Sequence, residues 1–127
     1  MKRLGLLAVF AATLTAGCAS NTQQDNFREA SFELLLQLAD LEQIVYAAYY
    51  DQDPEGGNPR NGWVKVGLIA DLSLASEPVV HERAVDLRET WGAHWESLPR
   101  ERASADAIVK ALDATRNEVK QVLRDLN

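Results

Sequence analysis

The fold is decided by residues 108–126, IVKALDATRNEVKQVLRDL, near the carboxyl end of the 127-residue chain. Five apolar side chains and one threonine recur there in alternating steps of four and three: Ile108, Leu112, Thr115, Val119, Val122 and Leu126. These steps put all six on one side of an α-helix, a spacing typical of helices that pack together in a bundle. The stretch therefore predicts the last helix of an all-α domain, beginning at Ala103 or Ser104.

Two upstream stretches have the same helical period. The first covers about 26–51, where Asn26 and Glu29 resemble a helix start and further apolar residues widen the buried stripe. Its stripe contains Phe27, Leu34, Leu38, Leu41, Val45 and Ala48, widened by Leu35, Leu36, Ile44 and Tyr49. The second begins at Ser76-Glu77-Pro78 and reaches about Leu98. Its predicted stripe is Val80, Ala84, Leu87, Trp91, Trp95 and Leu98.

The region between these two helices divides into a loop and an ambiguous segment. Residues 51–62 contain two prolines and three glycines, which favour a loop. Residues 63–75 match a strand at their start and a helix over their length, but no second strand is evident to pair with them. We predict a short helix there. The expected fold of residues 26–127 is an antiparallel four-helix bundle with a short second helix.

The amino-terminal residues form a leader. Lys2 and Arg3 precede an apolar run over 4–16, and the run ends in Leu14-Thr15-Ala16-Gly17-Cys18, which contains the chain's single cysteine. A run of this length is too short to cross a bilayer and is typical of a signal peptide. The pentapeptide resembles the lipobox of bacterial lipoproteins, from which it departs by having Thr15 where the family has an aliphatic residue.

The lipoprotein resemblance implies a location. It implies that residues 1–17 are removed and that Cys18 carries fatty acyl chains, which would hold the protein on a membrane. Ala19 after the cysteine implies sorting to the outer membrane, with the domain facing the periplasm. Residues 18–25 would be the lipidated cysteine and a flexible tether. The alternative is a plain secretory leader, with Cys18 an ordinary residue. We expect no cofactor other than the covalent lipid.

The charge of the remaining chain excludes one class of partner. Loss of Lys2 and Arg3 leaves 11 of the 13 Lys and Arg against 19 Asp and Glu, a net charge of −8. Nucleic-acid binding requires clustered basic residues, whereas here they are scattered among acids, so we expect no nucleic-acid partner. Membrane contact should rest on the lipid anchor, since anionic headgroups repel an acidic domain.

The acidic loop is a weak candidate for calcium. Asp51, Asp53, Glu55 and Gly56 have the spacing of positions 1, 3, 5 and 6 of an EF-hand loop. The twelfth position, which should supply a bidentate Glu, is Gly62. An ordinary solvated acidic turn is the competing interpretation.

Aromatic residues form a second candidate site. Tyr46, Tyr49 and Tyr50 end the first predicted helix and Trp63 opens the second, so an up-and-down bundle would gather them at one end. Tyrosine and tryptophan offer a large apolar face with a polar group, which suits a ligand or a partner side chain. Simple packing is the competing interpretation.

No motif in the chain indicates catalysis. It contains no Gly-x-Ser-x-Gly, and its two histidines, His81 and His94, would lie about 20 Å apart along one helix. We therefore expect a non-catalytic module, an accessory subunit, adaptor or inhibitor, that binds another protein of the cell envelope. The alternative is a ligand or calcium sensor that uses the loop at 51–62 and the adjacent aromatic residues.

Overall fold

The computed structural model describes the backbone of residues 2–126 and the side chains of residues 21–126. Over this range the chain forms four α-helices and no strand. They are α1 (Lys2–Tyr49), α2 (Pro59–Ser73), α3 (Pro78–His94) and α4 (Arg102–Asp125). The side chains of the predicted signal peptide and of Cys18 lie outside the described residues, so the leader and its lipidation stay predictions.

The helices run alternately up and down around one core. Each packs against the helix before and after it in the chain, and α4 also packs against α1. Two contacts along α3 and α4 have the antiparallel order: Thr115 of α4 donates a hydrogen bond to the Arg83 carbonyl, and Ser104, earlier in α4, lies against His94 at the carboxyl end of α3. The predicted antiparallel four-helix bundle with a short second helix is confirmed.

In α3 and α4 the buried side chains are those that the helical spacing selects. In α3 and the turn after it, Trp95 is partly buried and the other five residues of the predicted stripe are buried, with Trp91 fully enclosed. In α4, Leu126 is partly buried and the other five seam residues are buried. Thr115 fits this apolar surface because its hydroxyl also donates to the Ala111 carbonyl within its own helix.

The second helix begins earlier than the sequence analysis predicts. Asn58 has extended backbone angles and its side chain accepts a hydrogen bond of 2.9 Å from the Arg60 amide, while Pro59 takes the first helical position. Asparagine before proline is a favourable helix start. The predicted loop over 51–62 is therefore four residues too long, and Gly62 lies within the helix.

The first helix also begins earlier than predicted. Residues 21–25, which the sequence analysis assigns to a flexible tether, are helical and exposed. Apolar periodicity reports which side of a helix is buried, so a helical turn without a buried side gives no such signal. Within residues 21–126, no helix contains an apolar stretch of the length needed to span a membrane.

Candidate functional site

Helix α1 and the residue after it carry a second seam on the side away from the core. Its members recur in steps of four and three, as the core-facing residues do, and all are exposed: Phe32, Leu36, Ala39, Gln43, Tyr46 and Tyr50. The four large side chains are each between 42 % and 61 % exposed. We call these six residues the outer seam. Its spacing is that of a helix with a partner, although no helix of the described chain covers it.

The large hydrophobic side chains that are exposed lie in one half of the bundle. Over residues 21–126, every large hydrophobic side chain that is exposed belongs to α1, its carboxyl-terminal turn, α2 or the residue after α2. They are Phe32, Leu36, Tyr46, Tyr50, Trp63, Val64, Leu68 and Leu74. Single exposed apolar residues are ordinary, but a contiguous group is typical of an interaction surface.

Two open clefts follow the boundary between α1 and α2. One has a volume of about 710 Å³ and lies at the amino-terminal end of the bundle's α1, where Phe32 and Leu36 approach Leu74. The other lies nearer the α1–α2 loop, between Gln43 and Val64. We call the outer seam, Val64, Leu68, Leu74 and these two clefts the α1–α2 face.

The half of the bundle that carries the α1–α2 face is acidic. Residues 21–75 contain nine Asp and Glu against three Lys and Arg, whereas residues 76–126 contain ten against eight. Glu29 and Glu33 line the first cleft, and Asp40 lines the second. Lys65 is held at 3.1 Å from the Asp40 carboxylate and 2.6 Å from the Gln37 side-chain oxygen. One of the three basic charges is thus engaged with neighbouring groups of the same face.

The predicted aromatic site separates into two groups at one end of the bundle. Tyr46 and Tyr49 both pack edge to face against Tyr50, with ring centroids 5.6 and 4.8 Å away. Trp63 packs instead against Trp95 of the α3–α4 connection, at 6.4 Å. Tyr46 and Tyr50 belong to the outer seam and Tyr49 is half-buried beside the core. The four candidates thus share an end of the bundle, but their ring contacts join Tyr50 to the other two tyrosines and Trp63 to Trp95, which does not make one pocket.

The acidic loop is closed by its own backbone contacts. Asp53 accepts a hydrogen bond of 3.1 Å from the Glu55 amide through its carboxylate, and one of 2.9 Å from the Gly57 amide through its carbonyl. Asp51, Asp53 and Glu55 are all exposed. Across residues 21–126, no three His, Cys, Asp or Glu side chains are grouped so that they could hold a metal ion.

The two histidines connect neighbouring elements. The Ser73 hydroxyl donates to the Ala70 carbonyl at 2.6 Å, and its oxygen lies 2.8 Å from Nδ1 of His81 in α3. His94 lies 3.3 Å from the Ser104 hydroxyl of α4. Each imidazole therefore has a structural partner.

The chain matches no known family model, no curated protein and no solved structure.

Proposed function

We propose that this protein is a small outer-membrane lipoprotein, anchored through Cys18, whose helical domain is a non-catalytic module that binds another envelope protein. The observation that carries the interaction role is that, among residues 21–126, every exposed large hydrophobic side chain belongs to α1, α2 or the residue directly after one of them. A bundle that served only as a folded spacer would have no reason to keep one helix apolar on two sides.

A protein partner fits this surface better than a bilayer. Glu29, Glu33 and Asp40 line the clefts beside the exposed apolar side chains. Anionic lipid headgroups would be repelled by these carboxylates, whereas a protein surface can supply compensating positive charges. The clefts are also open to solvent along their length, which suits a partner's side chains more than an enclosed small molecule.

The proposed anchor would place the domain close to the membrane. Cys18 precedes Phe27, the first side chain packed on the core, by nine residues. At 1.5 Å per helical residue this separation is about 14 Å. The first cleft, which includes Phe27, would then face the same membrane-bound neighbours as the lipid.

The anchor is tested by mass spectrometry of the protein purified from membranes. We expect a mature chain that begins at Cys18 and carries two or three acyl chains. An unmodified thiol, or a first residue beyond position 18, would contradict the lipoprotein assignment and leave the interaction role to be judged by itself.

The interaction role is tested by photocrosslinking in living cells. A photoreactive amino acid is placed at Leu36 or Tyr46 of the outer seam and, as matched controls, at Ala93 or Asn117, which are exposed and uncharged positions on α3 and α4. We expect one discrete crosslinked protein, identified by mass spectrometry, from both seam positions and none from the controls. Equal crosslinking from all four positions, or none from the seam, would refute the role.

A further inference from the structure

The shape of the α1–α2 face indicates what kind of element binds it. The outer seam runs from Phe32 to Tyr50, which is about 27 Å along the helix axis at 1.5 Å per residue. Its steps of four and three are the spacing by which side chains of one helix enter the gaps of another at a small crossing angle. We infer that the partner presents an amphipathic α-helix of about 18 residues, seated along α1. This inference rests on the proposed interaction function.

The groove beside the outer seam has room for such a helix. The two clefts lie in line along the α1–α2 boundary, the first reaching Leu74 and the second reaching Gly56. The Lys65–Asp40 ion pair lies on this boundary, at the edge of the second cleft. A bound helix therefore contacts the outer seam on one side and α2 on the other. Near its middle, the bound helix passes over the ion pair of Lys65 and Asp40.

The charge of the groove determines the flanks of the bound helix. Carboxylates of Glu29, Glu33 and Asp40 line the clefts, and Asp51 lies beside Tyr46 and Tyr50 at the far end of the seam. Lysine and arginine flanking the partner's apolar stripe would complement these charges. The partner chemistry is therefore a basic amphipathic helix.

A second copy of this chain is a poorer match for the same surface. A two-fold symmetric pair brings a surface against itself, so the acidic residues of one copy would meet those of the other. Residues 21–75 supply only three basic side chains against nine acidic ones, which is too few to compensate both copies. Like charges placed together at an interface disfavour binding.

The test uses labelled 21-residue peptides and fluorescence anisotropy. The basic peptide has leucine at the two apolar positions of each heptad and lysine at the positions beside them. The acidic peptide keeps these leucines and replaces the lysines by glutamate. The third peptide has the composition of the basic peptide in scrambled order. The full chain is held in phosphatidylcholine nanodiscs, and the signal from empty nanodiscs is subtracted because cationic helices also bind lipid. The variants are Leu36→Gln with Tyr46→Gln, and the control Ala93→Gln with Asn117→Gln.

We expect the basic helix to bind at least about tenfold more tightly than either other peptide. The Leu36→Gln and Tyr46→Gln pair should weaken it at least tenfold with an unchanged melting temperature, while the control pair leaves binding unchanged. Raising the ionic strength should narrow the gap between basic and acidic peptides, because exposed charges are screened. Equal binding of all three peptides, or no effect of the seam pair, would overturn the inference.

The crosslinking experiment separates failure of this inference from failure of the proposed function. If seam crosslinks identify another protein but the basic peptide does not bind selectively, the interaction role stands and the helical basic partner is refuted. If the outer seam crosslinks to a second copy of this chain, the complex is a homodimer, and this outcome also refutes the inference of a basic partner helix. Absence of both crosslinks and peptide binding refutes both proposals.

Discussion

Replacing Gly62 by alanine should destabilise the bundle, whereas alanine at Gly67, the other glycine of α2, should not. A β-carbon at this position would overlap Cζ2 and Cη2 of the Trp91 indole, and Cε2 would lie only 2.9 Å from it. Trp91 is fully buried, so its ring has no open space to enter. Gly67 provides the matched control in the same helix, because a β-carbon there meets nothing within 4 Å.

The two substitutions should change the free energy of unfolding in opposite directions. Overpacking a rigid core costs about 1–3 kcal/mol and occasionally more, and the displaced group here is a fully enclosed indole, so we expect about 3 kcal/mol of destabilisation for Gly62→Ala. Alanine at Gly67 restricts the unfolded chain and favours the helix, which should stabilise the protein by about 0.5–1 kcal/mol. At about 4–8 °C per kcal/mol, the two melting temperatures should differ by more than about 10 °C.

Urea denaturation followed by far-ultraviolet circular dichroism measures both changes. The reasoning also predicts partial rescue: a phenyl ring stops short of the overlapping indole atoms, so Gly62→Ala should cost at least about 1 kcal/mol less in a Trp91→Phe background. A Gly62→Ala protein as stable as the Gly67→Ala protein, or an equal cost in both Trp91 backgrounds, would refute this account of the α2–α3 contact.

Substitutions at three further positions test the α1–α2 loop and the contact between α1 and α4. Gln52 has a positive φ of 52°, and its side-chain amide donates to two α1 carbonyls and to a carbonyl of the α3–α4 connection. Gln52→Ala should therefore lower the free energy of unfolding, measured by urea denaturation, by about 1–2 kcal/mol. Gln52→Gly should lower it less, because glycine adopts a positive φ without strain, and the reverse order would contradict this account of Gln52. The Arg116 guanidinium lies 3.3 Å from the Glu42 carboxylate of α1, and both side chains are mostly buried. Arg116→Met should therefore lower the stability by about 1 kcal/mol at low salt, as measured by thermal melts. The loss should be smaller in 1 M NaCl, where the ion pair of the unsubstituted protein is already screened. Gly57→Ala would place a β-carbon 2.5 Å from the Ala48 backbone and should cost about 3 kcal/mol; an unchanged melting temperature would mean that the α1–α2 loop moves freely off α1.

The core could be predicted from the sequence because burial and periodicity are directly linked in helices. The steps of four and three in residues 108–126 selected the buried side of α4, including Thr115, whose hydroxyl bonds within its own helix and to α3. The stripe in α3 was identified for the same reason. The alternation at residues 63–66 resembles a strand, but these residues are helical. Without a partner strand, their backbone N–H and C=O groups form hydrogen bonds only within a helix.

The site was less predictable because periodicity does not reveal how many sides of a helix have a partner. The sequence predicts that Leu36 widens the buried stripe of α1, but this residue is 61 % exposed and belongs to the outer seam. The chemistry of Tyr46 and Tyr50 marks them as candidates, but only their exposure shows that their four-and-three spacing with Phe32 forms a second, outward-facing seam. The start of α2 was recoverable, since Asn58 followed by Pro59 is a helix-start signal inside a segment that its glycines marked as a loop.

The size of the α1–α2 face, taken with the proposed anchor, favours a weak and membrane-dependent complex. One helix docked over about 27 Å buries less than the roughly 1,600 Å² of a standard stable interface, and its polar centre at Lys65 and Asp40 adds little net affinity. If the partner is held in the same membrane, tethering raises the effective concentration to the millimolar range, at which such an interface is occupied. Cys18→Ser should therefore abolish seam crosslinking in cells, while the unlipidated protein, measured in solution without nanodiscs, still binds the basic peptide. Retained crosslinking by a protein shown to be unlipidated would mean that the face binds tightly enough without the membrane.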